Sequence, residues 1–202
     1  MITAVILAAG ESSRLGRPKQ LIEYRGGTLL ARAIETALES KCDNVMIVIG
    51  AHGDIVRREA QRFKVKVVEN AEWPEGKASS IRAAINAVSK QSETASGILF
   101  LACDQPGVTI DLLNELIDRF RSSLEASVAC AYADTIGIPA IIPRRLFPQL
   151  KILRGDNGAQ SVLQAVRDQV VTVEFAQGHI DIDTEEDVKQ LIDRGHQSEI
   201  GY

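Results

Sequence analysis

Three short and almost uninterrupted apolar runs constrain the fold of this 202-residue chain more than any other feature. A strand with one exposed face alternates polar with apolar residues, whereas a strand buried on both faces is apolar throughout. These runs therefore predict a mainly parallel sheet that is covered by helices on both sides. They occupy residues 3–8 (TAVILA), 44–49 (NVMIVI) and 97–102 (GILFLA).

Helical patterns separate the apolar runs along the chain. The alternation of strand and helix predicts a three-layer α/β/α sandwich with right-handed crossovers. A last helix is expected from Thr184, whose spacing to Asp187 matches a capping box. A further strand is expected at 64–68, and the other helices at 28–40, 53–62, 77–90 and 109–123.

Residues 125–182 interrupt this alternation. We interpret them as extra strands and a helix near the edge of the sheet, forming a wall for a second substrate. No internal repeat and no linker rich in Gly, Pro or Ser divides the chain, so we expect a single domain over 1–202. The β-rich stretches of this segment are 128–132, 138–142 and 170–174.

Composition excludes several classes of function. A net charge of −4 and 4% aromatic residues argue against a nucleic-acid binder. No apolar stretch approaches the ~20 residues of a membrane span, so we expect no membrane partner. The three cysteines lack the spacing of a zinc site or a disulfide framework. With no basic leader before the first apolar run, we expect a cytoplasmic protein.

The loop after the first apolar run is rich in glycine and basic residues. Open parallel sheets bind ligands beyond the carboxyl ends of their strands. Gly10 and Gly16 allow backbone N–H groups to surround phosphate oxygens, and Arg14 and Lys19 add positive charge. The loop is neither a Walker A sequence nor a GxGxxG fingerprint. A basic surface loop without a ligand is the alternative interpretation.

Asp104 follows the third apolar run. A carboxylate beside a buried strand costs free energy unless it binds a cation or caps a helix. The next helix already has a cap residue in Thr109, so the sequence favours a Mg²⁺ ligand over a structural role. Cys103 is expected to be a small core residue.

A second acidic segment lies near the C-terminus. Polar residues alternate with apolar ones at 179, 181 and 183, as on one face of a strand. Asp183 either completes a two-carboxylate magnesium site with Asp104 or lies beside the helix cap at Thr184. The sequence alone leaves both interpretations open.

Residues 7–19 (LAAGESSRLGRPK) resemble the LAAGxSxRMGxPK signature of the MobA-like nucleotidyltransferases. The Ala-Ala-Gly at 8–10 is similar to the molybdenum cofactor cytidylyltransferase branch, since the guanylyltransferases usually have Ala-Gly-Gly. This resemblance implies a Rossmann-like fold of the nucleotide-diphospho-sugar transferase kind. It continues in register through 70–76 (NAEWPEG), 79–81 (SSI), 104–109 (DQPGVT), 137–140 (GIPA), 155–159 (GDNGA) and 181–184 (DIDT).

The resemblance also implies roles for individual residues. The catalytic residues would be Arg14, Lys19 and Asp104. Magnesium would be bound by Asp104 and Asp183, with Asp181 as the less favoured ligand. In the acceptor region, Ile138 and Gln160 stand where the family often has His and Arg. The nucleotide-binding residues would be Ala8, Ala9, Gly10, Arg14, Lys19, Gly76, Ser80 and Asp104. The acceptor-binding residues would be Gly137, Pro139, Gly155, Asp156 and Gly158.

The function implied by the resemblance is transfer of CMP from CTP, or of a nucleotide from another NTP, to the terminal phosphate of a molybdopterin-type cofactor. Mg²⁺ would be the cofactor and pyrophosphate the second product. The attacking phosphate is ionised at neutral pH, so no general base is required. Two alternatives stay open: a cytidylyl- or uridylyltransferase acting on a sugar or polyol phosphate, and a non-catalytic molybdenum-cofactor chaperone. A molybdoenzyme or chaperone partner stays open as well.

Overall fold

The computed structural model describes residues 1–91, 95–123 and 125–199, with only the backbone for 194–199. The strands are β1 (Ile2–Ala8), β2 (Glu23–Tyr24), β3 (Gly27–Thr28), β4 (Asn44–Ile49), β5 (Lys66–Glu69), β6 (Gly97–Ala102), β7 (Ser127–Tyr132), β8 (Thr135–Pro143) and β9 (Val170–Glu174). The helices are α1 (Leu29–Glu39), α2 (Gly53–Ala60), α3 (Lys77–Gln91), α4 (Ile110–Ser122), α5 (Phe147–Lys151), α6 (Ala159–Ala165) and α7 (Glu185–Glu199).

Seven strands form one sheet in the order β5-β4-β1-β6-β8-β7-β9. β1 pairs in parallel with β4 and β6, and β5 and β9 also join their neighbours in parallel. β8 runs antiparallel to both β6 and β7. The prediction of a mainly parallel sheet is thereby confirmed. β2 and β3 form a separate hairpin that was not predicted, since two residues per strand are too few to show a period.

The two faces of the sheet are covered by different helices. On β1, Ala4 and Ile6 point into a core with α1, α2 and α4, whereas Val5 points into a second core with α3, α5 and α6. Each of these three side chains is fully buried. This alternation confirms the predicted three-layer sandwich and explains why β1 is apolar throughout. Among the described helices, none is both long and apolar enough to cross a membrane.

The strand order reverses around β1. The chain passes from β1 to β4 on one side and later returns to β6 on the other side. Such a reversal opens a crevice at the carboxyl ends of the strands. The ladder pairs Ala8 with Ile49 and Leu7 with Ala102, so the loops that follow β1 and β6 lie side by side.

A third hydrophobic cluster fixes the C-terminal region against the first loop. It contains Leu15 and Ile22 from the N-terminal part and Ile182, Val188 and Leu191 from the C-terminal part, all nearly buried. Burial of apolar side chains of this size contributes roughly 1.5–3 kcal/mol each. This cluster therefore holds residues 180–184 beside the loop after β1.

The helix caps follow the sequence, but one predicted strand does not. Thr184 Oγ1 accepts from Asp187 N at 3.2 Å, and Asp187 Oδ2 accepts from Thr184 N at 2.8 Å, which confirms the capping box. Thr109 caps α4 as expected. The strand face expected at 179–183 is wrong, because no strand forms there. The alternation arises because Ile182 packs into the third cluster while Asp181 and Asp183 lie outside it.

Candidate functional site

The loop after β1 is held by a buried glutamine. Gln20 Nε2 donates to the carbonyl oxygens of Ala8 and Gly10, at 3.0 Å in both cases. Ser12 Oγ accepts from Lys19 N at 3.2 Å, and Ala9 O accepts from Ala51 N at 3.1 Å. These bonds fix the backbone that the sequence analysis assigned to nucleotide binding.

The Lys19 ammonium lies between two carboxylates that come from distant parts of the chain. It forms an ion pair with Asp104, and its Nζ lies 2.8 Å from Asp183 Oδ1. The side chains of Lys19 and Asp104 are only 16% and 14% exposed. Burial lowers the pKa of Lys19, but the two carboxylates outweigh this effect and raise the pKa above its ordinary value. The lysine is therefore firmly cationic at neutral pH.

Arg14 adds a second positive charge to this cluster. Its Nη2 lies 2.6 Å from Asp183 Oδ2, although most of its side chain is exposed. Burial raises the pKa of Asp183, but Lys19 and Arg14 outweigh it and hold the pKa below its usual range. Asp183, rather than Asp181, is thus the carboxylate that the cations of the first loop contact.

Hydrogen bonds to main-chain oxygens join the segments that carry these charges. Ile182 N donates to Asp104 O at 3.1 Å, and Gln105 Nε2 donates to Gly178 O at 3.1 Å. Together with the third hydrophobic cluster, they tie the loop after β6 to residues 178–183. The sequence predicted that Lys19 and Asp104 would converge, and the structure brings them together.

The segment that contains Gly76 and Ser80 attaches to the end of β4. Asn70 N donates to Ile49 O at 2.8 Å, and Asn70 Nδ2 donates to Ser80 Oγ at 3.1 Å. Because β4 is the neighbour of β1, these two predicted nucleotide-binding residues lie at the same edge as Ala8. Asn70 had no assigned role in the sequence, and the structure shows it as a buried amide beside the end of β4.

The predicted acceptor residues fall into two groups. Gly155 and Asp156 pack against Gly76, and Gly158 precedes α6 as its cap residue. Gly137 and Pro139 lie on β8, on a different segment from the first group. There the Tyr132 hydroxyl donates to Ile138 O at 3.2 Å. The contacts of Gly155 and Asp156 thus join them to Gly76, and β8, which carries the second group, pairs with β6, the strand that precedes Asp104.

Asp104 and Asp183 are the candidate ligands of a divalent cation. In the described part of the chain, no group of three or more His, Cys, Asp or Glu residues is arranged to hold a metal ion. Asp104 and Asp183 nevertheless direct oxygens at one cationic atom, the Lys19 Nζ. Mg²⁺ typically takes one or two protein carboxylates and completes its shell with substrate phosphates and water. The two carboxylates fit this requirement.

Cys103, beside Asp104, does not contribute to this chemistry. Its side chain is buried, and burial raises the pKa of its thiol to about 12. A thiol that stays protonated is neither a nucleophile nor a metal ligand. The expectation of a small core residue is confirmed.

Solved structures share this architecture. Rv0371c from Mycobacterium tuberculosis H37Rv, solved in complex with manganese, has a TM-score of 0.78 at 29% identity and covers 95% of this chain and 98% of its own. Two solved nucleotidyltransferases, each 16% identical to this chain, have TM-scores of 0.71 and 0.75. At this identity the likeness shows a shared fold and nothing about activity. The expected nucleotide-diphospho-sugar transferase fold is confirmed.

Sequence relatives carry different names. A protein named nicotine blue oxidoreductase, from Paenarthrobacter nicotinovorans, is 35% identical over 170 residues, with 81% of each chain covered. The molybdenum cofactor cytidylyltransferase of Escherichia coli K12 is 32% identical over 117 residues, with 57% of each chain covered. Residues 4–170 match the model of the MobA-like NTP transferase domain. The chain therefore belongs to the MobA-like NTP transferase family.

Proposed function

We propose that this protein transfers CMP from CTP to the terminal phosphate of a molybdopterin-type cofactor and releases pyrophosphate. One observation carries the proposal: Lys19 and Arg14 from the loop after β1 converge with Asp104 and Asp183 at the carboxyl ends of the central strands. This is the position at which open α/β sheets bind nucleotides. The relative named as a cytidylyltransferase supports the choice of reaction.

The proposed reaction forms one bond and breaks one bond. An oxygen of the acceptor phosphate bonds to the α-phosphorus of CTP, and the bond from that phosphorus to the bridging oxygen breaks. The electron pair leaves with pyrophosphate. Lys19 and Arg14 would hold the triphosphate and offset the charge that develops on the leaving group. The attacking phosphate oxygen is already ionised, so the proposal includes no base.

A divalent cation is the cofactor of this proposal. Asp104 and Asp183 are the residues that would hold Mg²⁺, and the ion would supply Lewis-acid charge to the phosphates. The contact of both carboxylates with Lys19 supports this assignment, since a site built for one cation can accept another. A structural neighbour solved with manganese supports a divalent metal in general.

The remaining roles divide between base and acceptor. The backbone at Ala8, Ala9 and Gly10 would contact the base and ribose, with Gly76 and Ser80 closing over them. Residues 125–182 would form the acceptor side, as a part of a single domain. The acceptor-binding residues proposed there are Gly137, Pro139, Gly155, Asp156 and Gly158.

The experiment is a pyrophosphate-release assay with the purified chain, Mg²⁺ and each of the four NTPs. The acceptors are a molybdopterin-type cofactor, a set of sugar phosphates and a set of polyol phosphates. We expect release with CTP and the pterin acceptor. Release with a sugar or polyol phosphate, and none with the pterin, would favour that alternative acceptor.

Two outcomes would contradict the proposal when the assay is combined with a pterin-binding measurement and a redox assay. Tight pterin binding without turnover under any condition would indicate a chaperone. Redox turnover of nicotine blue without pyrophosphate release would indicate the activity in the name of the Paenarthrobacter relative. The control is Asp118→Asn, which removes an ion pair with Lys41 on the surface of the molecule and should leave pyrophosphate release unchanged.

A further inference from the structure

Arg82 contacts three separate positions with one guanidinium group. On α3, its Nη1 donates to Glu75 Oε1 at 2.8 Å and to the Leu153 carbonyl at 2.9 Å. Its Nη2 donates to Glu72 Oε2 at 3.0 Å and also pairs with Glu75. The Arg82 side chain is only 15% exposed, although it is charged. A guanidinium that is planar and has five donors is suited to joining several acceptors at fixed angles.

Glu75 extends this link to the loop after α5. Its Oε1, which accepts from Arg82, also accepts from Gly155 N at 3.3 Å. In return, Ala78 N donates to Gly155 O at 3.0 Å. Hydrogen bonds from the Arg82 guanidinium and from Gly155 N stabilise the ionised form of Glu75 and lower the pKa of its carboxyl. The carboxylate is therefore ionised, as this arrangement needs.

Gly76 brings the two segments into direct contact. A Cβ at this position would lie 2.5 Å from Asp156 Oδ1 and 2.7 Å from Gly155 C. The φ of Gly76 is +114°, which a residue with a side chain rarely adopts. Glycine is thus required for the close approach of residues 72–79 to residues 153–157.

We propose that Arg82 is a positioning residue that couples nucleotide binding to the arrangement of the acceptor loop. This inference rests on the proposed function, which assigns Gly76 and Ser80 to the nucleotide and Gly155 and Asp156 to the acceptor. When the nucleotide orders residues 72–80, the contacts of Arg82 and Glu75 transmit that order to residues 153–157. The coupling is reciprocal, so acceptor binding strengthens nucleotide binding by the same factor.

A purely structural role for Arg82 predicts a different result. In that case Arg82 would hold the acceptor loop equally with and without nucleotide. Removing it would loosen residues 153–157 in both states and leave the effect of nucleotide unchanged. The two roles are distinguished by the ratio of the exchange rates at residues 153–157 without and with nucleotide.

The test is hydrogen–deuterium exchange on the full chain with MgCl₂, with and without CTP carrying a methylene group in the α,β bridge. In the wild type, we expect this analogue to slow exchange at residues 8–19 and, by about fivefold or more, at residues 153–157. In Arg82→Gln, protection at 8–19 persists and protection at 153–157 is lost. Glu75→Gln also loses the protection at 153–157, and Arg82→Lys retains part of it.

The matched control is Arg119→Gln, which removes an arginine that pairs with Glu115 on the exposed face of α4. It behaves as the wild type. If Arg82→Gln keeps the nucleotide-dependent protection at 153–157, the coupling is overturned. It is also overturned if the wild type is protected at 8–19 but not at 153–157. If the wild type shows no protection at 8–19, the nucleotide site itself is wrong and the proposed function fails. Far-UV circular dichroism confirms that each variant is folded.

Discussion

The ammonium group of Lys19 forms an ion pair with the carboxylate of Asp104, which lies 85 residues further along the chain. Both side chains are largely buried at the carboxyl ends of β1 and β6. Asp183 shares the same ammonium group from a third segment. The positive loop and the acidic residues thus form a single charged centre.

Removal of the Asp104 carboxylate should abolish turnover without unfolding the protein. We expect Asp104→Ala to lower pyrophosphate release by about 10³-fold, because electrostatic groups at a reacting centre contribute on this scale. Circular dichroism should show a folded chain. Asp118→Asn, in an exposed ion pair, serves as the control. Near-normal release from Asp104→Ala would defeat the assignment of this carboxylate.

Lys19 and a divalent cation should compete for the same carboxylates. In the absence of nucleotide, we expect Lys19→Met to bind Mn²⁺ about tenfold more tightly than the wild type, a difference of about 1.4 kcal/mol. Removing the ammonium leaves two carboxylates without their nearest positive charge. Electron paramagnetic resonance of free Mn²⁺ measures the change, and Lys19→Arg is the control. Weaker Mn²⁺ binding by Lys19→Met would show that these carboxylates do not hold the metal.

Asp183 should stabilise the protein in a pH-dependent manner. Its pKa is lower in the folded chain than in the unfolded chain, so its contribution is present above the ordinary value of ~3.9 and is lost as the pH falls through the folded value. The wild type should therefore exceed Asp183→Asn in free energy of unfolding at pH 7. Urea denaturation at a series of pH values should show this gap closing below pH ~4. A gap independent of pH would contradict the ion pairs described for Asp183.

Gly178 should tolerate no side chain while Tyr132 is present. A Cβ on Gly178 would lie 2.6 Å from Tyr132 Cγ, so we expect Gly178→Ala to cost about 1–3 kcal/mol of stability. In a Tyr132→Leu background the ring is gone, and the cost should fall. Gly53→Ala is the control, because its nearest neighbour would be 3.9 Å away. Thermal denaturation of the wild type, the two single variants and the double variant gives the coupling, and strictly additive effects would contradict this packing.

The sequence predicted the sheet and the charged centre for identifiable physical reasons. The strands at 3–8, 44–49 and 97–102 were recognisable because burial on both faces leaves no polar positions. The convergence of Lys19 and Asp104 was predictable because both follow strands whose carboxyl ends share one edge of the sheet.

The errors and omissions have physical causes too. The strand expected at 179–183 does not form, because a loop residue that packs into a cluster, Ile182, produces the same alternation as a strand. Gln20, Asn70 and Arg82 were missed because their partners are main-chain atoms or side chains that only the fold brings close. Polar residues of this kind carry no local pattern in the sequence.

We propose that the first loop and the acidic segments bind one triphosphate together with a divalent metal. The decisive measurement is anomalous scattering from Mn²⁺ in crystals grown with the methylene-bridged CTP analogue. We expect a manganese peak bonded to the Asp104 carboxylate, with Lys19 and Arg14 on the phosphates. A nucleotide bound elsewhere, or a manganese ion remote from Asp104, would contradict it.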